Sequence, residues 1–191
     1  MFGVEPFIKA IEALEAKNLH INPMQCSRPR HRLSKCQLCT NHCPTGAISW
    51  DESFDVDLDK CTGCGICTNI CPNGVFEANN PTNDVLLSRA AASLKGFDQI
   101  AFVCYKSPPE VSHGDIHMSN TLIVPCLGRV DESLLVGCVS LGASAVWLVN
   151  SACHDCEFRS SWDIPQQTTA IANKILDTFS ISNRICFSQD I

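Results

Sequence analysis

The spacing of hydrophobic and polar residues differs between the two halves of the chain. Apolar and polar residues alternate in 47–50 and 54–58, as in the half-exposed strands of a hairpin. Beyond residue 98 the apolar runs are continuous and rich in branched side chains, which is typical of strands buried on both faces. The pattern therefore predicts two domains that are built differently.

Strands and helices are predicted to alternate in the second half, and this order is typical of an α/β domain with a parallel sheet. The stretch 133–153 has no charged residue, but Gly142 and Ser144 interrupt it. It therefore predicts a buried helix followed by a buried strand, and no membrane insertion. The predicted strands are 100–103, 121–124, 145–149 and 184–187, and the predicted helices are 85–95, 132–141 and 166–179.

A cysteine motif lies between these two patterns. The segment Cys61-Thr-Gly-Cys64-Gly-Ile-Cys67-Thr-Asn-Ile-Cys71-Pro72 has the C-x2-C-x2-C-x3-C-P spacing that holds cubane iron–sulfur clusters. In this motif the first three thiolates bind one cluster and the fourth binds another. A second copy lies 28 residues upstream, because Cys36-Gln-Leu-Cys39-Thr-Asn-His-Cys43-Pro44-Thr-Gly46 repeats the segment from Cys64 to Gly74.

The upstream copy lacks its leading cysteine, since Leu33 stands at that position. Cys26 is the expected substitute, and it would reach the cluster across the loop 27–35. That loop carries Arg28, Arg30, His31, Arg32 and Lys35, which place positive charge beside an anionic cluster. We predict that cluster one is bound by Cys26, Cys36, Cys39 and Cys71, and cluster two by Cys61, Cys64, Cys67 and Cys43.

The segment 26–77 resembles the two-[4Fe–4S] ferredoxin family, which implies an α+β ferredoxin-like fold with a short hairpin between the motifs. Structural zinc is the alternative, but zinc sites favour two C-x2-C pairs over interlocked C-P motifs. We expect an amphipathic helix at 5–17 and a polar, irregular stretch at 18–35. The helix and the start of this entry loop form the leading segment 1–25. The expected ferredoxin domain is 26–80, a linker falls in 78–84, and the α/β domain is 85–191.

A third group of cysteines follows the predicted buried strands. Because the carboxyl ends of parallel strands share one edge of a sheet, cysteines placed there converge. Cys138 lies within a predicted helix and Cys186 within a predicted strand, so we interpret both as small core residues. The four cysteines expected at the sheet edge are Cys104, Cys126, Cys153 and Cys156.

The region 98–187 resembles the delta (iron–sulfur) subunit of methyl-viologen-reducing hydrogenase. The resemblance rests on Cys126-Leu-Gly-Arg129-Val-Asp131, on Gly142-Ala-Ser-Ala-Val146 and on Cys153-His-Asp-Cys156. It implies one [2Fe–2S] cluster on the four edge cysteines. It also implies partner subunits: a flavin-containing heterodisulfide-reductase-like subunit and a hydrogenase or formate dehydrogenase. Zinc remains the alternative metal for these four thiolates, and the charge of Arg129 is expected to tune the potential of a redox cluster.

Composition sets the expected environment. Fourteen cysteines, with no basic segment followed by an apolar run at the start, indicate reduced thiolates in a cytoplasm and no secretion. The net charge of −6 argues against a nucleic-acid partner. No phosphate-binding glycine motif follows a strand, so no flavin or nicotinamide site is expected in the chain.

The combined patterns predict an electron-transfer subunit of a cytoplasmic oxidoreductase complex, with two [4Fe–4S] clusters, one [2Fe–2S] cluster and no substrate site of its own. Three alternatives remain: an iron–sulfur redox sensor or regulator, a ferredoxin fused to a structural zinc domain, and an enzyme whose cubane has only three protein ligands. His113, Asp115 and His117 form a weaker candidate metal site. His154 is a candidate donor to a cluster sulfur.

Overall fold

The computed structural model describes residues 19–51, 53–106, 116–149, 153 and 156–188. The chain folds as two compact units, Met1–Thr82 and Asn83–Ile191. The amphipathic helix predicted at 5–17 lies outside the described residues. Among the helices that are described, none is long and apolar enough to cross a membrane.

The first unit consists of short elements around two small antiparallel sheets. β2 pairs with β3 in the predicted hairpin, and β1 pairs with β4. The prediction that 18–35 is irregular is wrong for 19–30, because this part contains a strand that pairs with β4 and two short helical turns, whereas 31–35 is irregular as expected. The elements are β1 (Leu19–Ile21), a 3-10 turn (Pro23–Gln25), α1 (Ser27–Arg30), α2 (Leu38–His42), β2 (Ile48–Trp50), β3 (Phe54–Val56), α3 (Ile66–Ile70) and β4 (Phe76–Ala78).

The 28-residue repeat is visible in the backbone of this unit. α2 and α3 begin at equivalent positions of the two copies, and so do β2 and β4. After each copy the chain turns at a glycine with a positive φ, 63° at Gly46 and 64° at Gly74. A side chain at such a φ is strained, so glycine is required at both turns. In each sheet, the strand that follows one copy of the repeat pairs with a strand that is not part of the repeat: β2 pairs with β3, and β4 pairs with β1.

The first unit has a small apolar core. Ile48, Val75 and Phe76 are buried together, and cysteines from both motifs pack against them. Phe54 adds to this core through ring contacts, with centroids 5.9 Å from Phe76 and 5.5 Å from Trp50. Cysteines therefore make up much of the layer of side chains that packs against this core.

The second unit is built on a four-stranded sheet with the order β6-β5-β7-β8, and every pairing is parallel. The predicted parallel sheet is confirmed. The gap between β4 and α4 falls within the predicted linker. The elements are α4 (Asn83–Ser93), β5 (Gln99–Cys104), β6 (Thr121–Val124), α5 (Glu132–Ser140), β7 (Ala145–Val149), α6 (Asp163–Asp177) and β8 (Ile185–Ser188).

The two faces of this sheet are covered differently. One face joins α4, α5 and α6 in a large core that includes Phe102 and Leu148, both fully buried. Cys138 of α5 lies in that core with no exposure, as predicted. Across the sheet a smaller cluster contains Val103 and Val149. Cys186 is only half-buried there, so the prediction of a core cysteine is wrong for this residue.

Candidate iron–sulfur sites

Cys26 is brought to the cluster motifs by the strand that the sequence did not predict. β1 places Ile21 opposite Phe76 of β4. The next residue continues the contact, because the Asn22 N–H donates to the Val75 carbonyl oxygen at 2.7 Å. The chain then makes one 3-10 turn and reaches Cys26 just before α1. The pairing of β1 with β4 therefore fixes the position of Cys26. The loop 27–35 is not needed to bring Cys26 to the other cysteines.

Gln25 fastens the same segment to the loop that follows Cys71. With its amide nitrogen facing the two carbonyl groups, Gln25 donates to Gly74 O and to Asn73 O, both at 2.7 Å. Gly74 leaves space for this contact, since an added Cβ would lie 3.1 Å from the Gln25 side chain. Sequence reasoning missed Gln25, and its position next to Cys26 was the only signal available.

Cys39 lies near Cys71, Cys26 and Cys36. Burial, and to a smaller extent the charges of these three cysteines, together raise the pKa of the Cys39 thiol to about 11. These are the four residues predicted to bind cluster one. The structure shows their proximity, and their role as ligands remains a prediction.

The other four motif cysteines form a second group around a cavity. Burial raises the pKa of the Cys67 thiol, and the charges of Cys64, Cys61 and Cys43 add to this effect. Burial also raises the pKa of Cys64. All four cysteines line one largely apolar pocket. Four thiols at one pocket are the donor set that a cubane cluster requires.

Two polar groups of the following turn lie within hydrogen-bonding distance of one sulfur of this site. The Ala47 N–H donates to Cys43 Sγ at 3.3 Å, and Thr45 Oγ1 lies 3.6 Å from the same sulfur. Hydrogen bonds to a charged group stabilise its charged form. The buried thiols must still release protons when a metal binds, so metal binding here is coupled to proton release.

In the described part of the chain, no group of three or more His, Cys, Asp and Glu side chains is arranged to hold one metal ion. A single zinc ion would need each sulfur about 2.3 Å from one point. A cubane distributes its four thiolates over four irons.

The third group of cysteines lies at the carboxyl edge of the parallel sheet. Cys104 is the last residue of β5, the strand between β6 and β7, and is paired with Val124 at the end of β6. Cys126 follows two residues later, and Cys104 Sγ is 3.8 Å from the intervening Pro125 carbonyl oxygen. Cys153 follows the end of β7. Three adjacent strand ends therefore deliver cysteines to one edge.

Two of the thiols in this group receive backbone hydrogen bonds. The Lys106 N–H donates to Cys104 Sγ at 3.3 Å, and the Phe158 N–H donates to Cys156 Sγ at 3.4 Å. Burial, and to a smaller extent the charges of Cys104 and Cys156, together raise the pKa of the Cys153 thiol to about 11. Cys153 is thus close to Cys104 at the end of β5 and to Cys156 in the loop after β7.

Lys106 joins the two loops that carry these cysteines. Its ammonium group pairs with Glu157 and lies 4.9 Å from the centre of the Phe158 ring. The side chain therefore spans from the loop after β5 to the loop after β7. The sequence did not indicate this residue, because its partners are about 50 positions away.

Arg129, the charged residue expected to tune a potential at this edge, serves a structural network. Its side chain is almost completely buried, and its Nη2 donates to Asn83 Oδ1 at 3.3 Å. Burial lowers the pKa of Arg129, and the negative charge of Asp131 opposes this effect. Asp131 also caps α5, since it accepts a hydrogen bond from the Leu134 N–H at 2.8 Å. Arg129 thus belongs to the polar network that holds the loop after Cys126.

The weaker histidine candidates fall mostly outside the described residues, which exclude His113, Asp115 and His154. His117 is exposed, and its ring packs against Phe97 with centroids 5.8 Å apart. The metal site suggested for these histidines therefore stays a prediction.

The fold and the grouped cysteines define an iron–sulfur protein with a ferredoxin-type unit followed by a parallel α/β unit. Residues 34–75 match the family model of the 4Fe-4S dicluster domain, and residues 100–189 match that of the methyl-viologen-reducing hydrogenase delta subunit. The predicted fusion of these two kinds of domain is confirmed. No curated protein and no solved structure matches the chain. The two domains support an iron–sulfur electron-transfer role.

Proposed function

We propose that the chain is an electron-transfer subunit with two [4Fe–4S] clusters in its first unit and one [2Fe–2S] cluster in its second. The observation that carries the proposal is the sorting of the motif cysteines into two groups of four. Each group combines cysteines from both copies of the repeat, as the dicluster motif requires. The bound clusters would accept and pass on single electrons.

In this proposal all ligands of the two cubane clusters are cysteines of this chain. Cys26, Cys36, Cys39 and Cys71 bind cluster one. Cys43, Cys61, Cys64 and Cys67 bind cluster two. Cys26 lies outside the residues matched by the dicluster model, so its assignment rests on its proximity to Cys39 and on the β1–β4 pairing.

The third site would be formed by Cys104, Cys126, Cys153 and Cys156. The backbone donors to Cys104 and Cys156 support thiolates at this edge. Iron is favoured over zinc because a zinc ion would be electrically silent in a chain that carries two redox clusters. All four cysteines lie within the residues that match the delta-subunit model.

The partners would be other subunits of a cytoplasmic redox complex. The delta-subunit match supports a place in a redox complex. The proposed partners are a flavin-containing heterodisulfide-reductase-like subunit and a hydrogenase or formate dehydrogenase. The chain itself would have no substrate site, so its ligands set potentials while its partners carry out the chemistry. Purified alone, the reduced chain should exchange electrons yet turn over no hydrogen, disulfide or nicotinamide.

Metal and sulfide analysis of anaerobically prepared protein tests the proposal. Two cubanes and one binuclear cluster require about ten irons per chain and equal sulfide. About eight irons with one zinc would instead indicate a ferredoxin joined to a structural zinc domain. Fewer than about seven irons would contradict two cubanes. Copurification of the native protein with its companions would identify the complex.

A further inference from the structure

The basic loop after Cys26 contains one arginine that behaves differently from the other basic residues. Arg30, Arg32 and Lys35 are exposed, whereas Arg28 is half-buried. The sequence suggested that the whole run places positive charge beside cluster one. The structure turns only Arg28 among these four toward the interior.

Arg28 packs on an aromatic ring, and the loop that carries it is closed by a hydrogen bond. Its guanidinium carbon lies 4.6 Å from the centre of the Trp50 ring, a distance typical of a cation–π contact. Trp50 is packed against Phe54, which in turn contacts Phe76 of the core that cysteines of both groups contact. The loop itself is closed by the Ser27 and Ser34 hydroxyl groups, which are 2.9 Å apart. The guanidinium therefore has little freedom to turn toward solvent.

One nitrogen of this guanidinium has no acceptor. Arg28 Nη1 is buried, and no hydrogen-bond partner for it is found among the described residues. A buried charged donor without an acceptor is costly, so such groups normally face an acceptor or a bound anion. Arg28 lies two residues after Cys26, a predicted ligand of an anionic cluster.

We propose that Arg28 Nη1 donates a hydrogen bond to a sulfur of cluster one and raises the reduction potential of that cluster relative to cluster two. This inference rests on the proposed function, since it needs a cubane at the first group of cysteines. Reduction adds negative charge to the cluster, and a fixed positive donor stabilises the reduced form more than the oxidised form. Arg28 is thus a tuning residue that positions charge and binds no iron.

A pair of arginine variants in the same helix tests the proposal. Arg28→Gln and Arg30→Gln remove the same charge from α1, but only Arg28 is buried against Trp50. Potentiometric titration of the full chain, followed by electron paramagnetic resonance, measures both cubanes. Cluster one is identified as the signal that Cys26→Ser alters.

At a fixed potential, Arg28→Gln is expected to lower the ratio of reduced to oxidised cluster one at least tenfold, which corresponds to about 59 mV for one electron. Arg30→Gln should change this ratio less than about threefold, because solvent and salt screen an exposed charge. Cluster two should change little in either variant. Equal ratios in the two variants would overturn the proposal.

Two further outcomes separate this inference from the proposed function. If the wild-type chain forms no pair of cubanes, the proposed function fails first. If Arg28→Gln does not retain cluster one, the titration is done on Arg28→Lys instead. Lysine keeps the positive charge but loses the planar guanidinium that stacks on Trp50. Arg28→Lys should lower the ratio at least threefold, and an unchanged ratio in that variant also counts against the proposal.

Discussion

The two units differ in how much of their apolar core forms independently of the cysteines. In the first unit the cysteines lie in short motifs, and the apolar core between them is small. In the second unit a large core of sheet and helices is complete without the edge cysteines, apart from Cys104 at its margin. From this comparison we expect the fold of the first unit to depend on its proposed clusters, and the fold of the second unit to form without metal.

Metal removal should produce the largest difference between the units. Without iron, the small core of Ile48, Val75 and Phe76 must hold the first unit alone, so we expect its amides in β1 to β4 to exchange at least about 100-fold faster. The amides of β5 and β7 should change less than about threefold. Hydrogen exchange with and without chelator measures both. Equal loss of protection in the two units would contradict the comparison.

Cys26→Ser should remove or convert one cubane and leave the other intact. The expected loss is between one and four irons per chain, because a cubane deprived of one thiolate either loses an iron or is lost entirely. Cys186→Ser is the matched control, since Cys186 is a half-buried cysteine with no predicted ligand role, and its iron content should equal that of the wild type. Unchanged iron and spectra in Cys26→Ser would show that Cys26 is not a ligand.

Cys126→Ser should affect the second unit alone. We expect loss of about two irons, or of one zinc if zinc occupies the site, with both cubane signals retained. The fold of the unit should persist, because Cys126 lies outside its buried core. Iron analysis together with circular dichroism checks both expectations. Loss of the cubane signals instead would mean that the two units are not independent in binding metal.

Gln25→Ala should have the smallest effect. It removes the two hydrogen bonds to Gly74 and Asn73, and each such bond is worth about 1 kcal/mol, so cluster one should be lost in air roughly five- to thirtyfold faster. Met24→Ala is the control, because Met24 is 79% exposed and next to Gln25. The decay of cluster absorbance gives both rates. Similar rates in the two variants would show that the Gln25 contact does not retain the cluster.

Local signals in the sequence explain what could be predicted. The hairpin of β2 and β3 follows from alternating residues, and the parallel sheet follows from apolar runs between helices. The capping of α5 by Asp131 was also predictable, because Asp131 lies only three residues before Leu134, whose N–H donates the capping hydrogen bond. In each case the signal and its structural partner are close in the chain or repeat with a simple period.

Contacts between distant residues explain what could not be predicted. Leu19 pairs with Ala78, and no periodic pattern in three residues of β1 indicates that partner. Lys106 and Glu157 are joined only once β5 and β7 are neighbours in the sheet. Cys186 was predicted to be in the core because its neighbours are apolar, but it lies on the sheet face that is less well covered.

The crossing of the two cysteine motifs has a consequence for how the protein would mature. Each copy of the repeat supplies cysteines to both proposed cubane sites, since Cys71 joins the first group and Cys43 the second. The first cubane to be inserted would therefore clamp the two copies together and align the remaining thiols. Loading of the second cubane should follow readily, so partly assembled chains with a single cubane should be scarce at every stage of biogenesis.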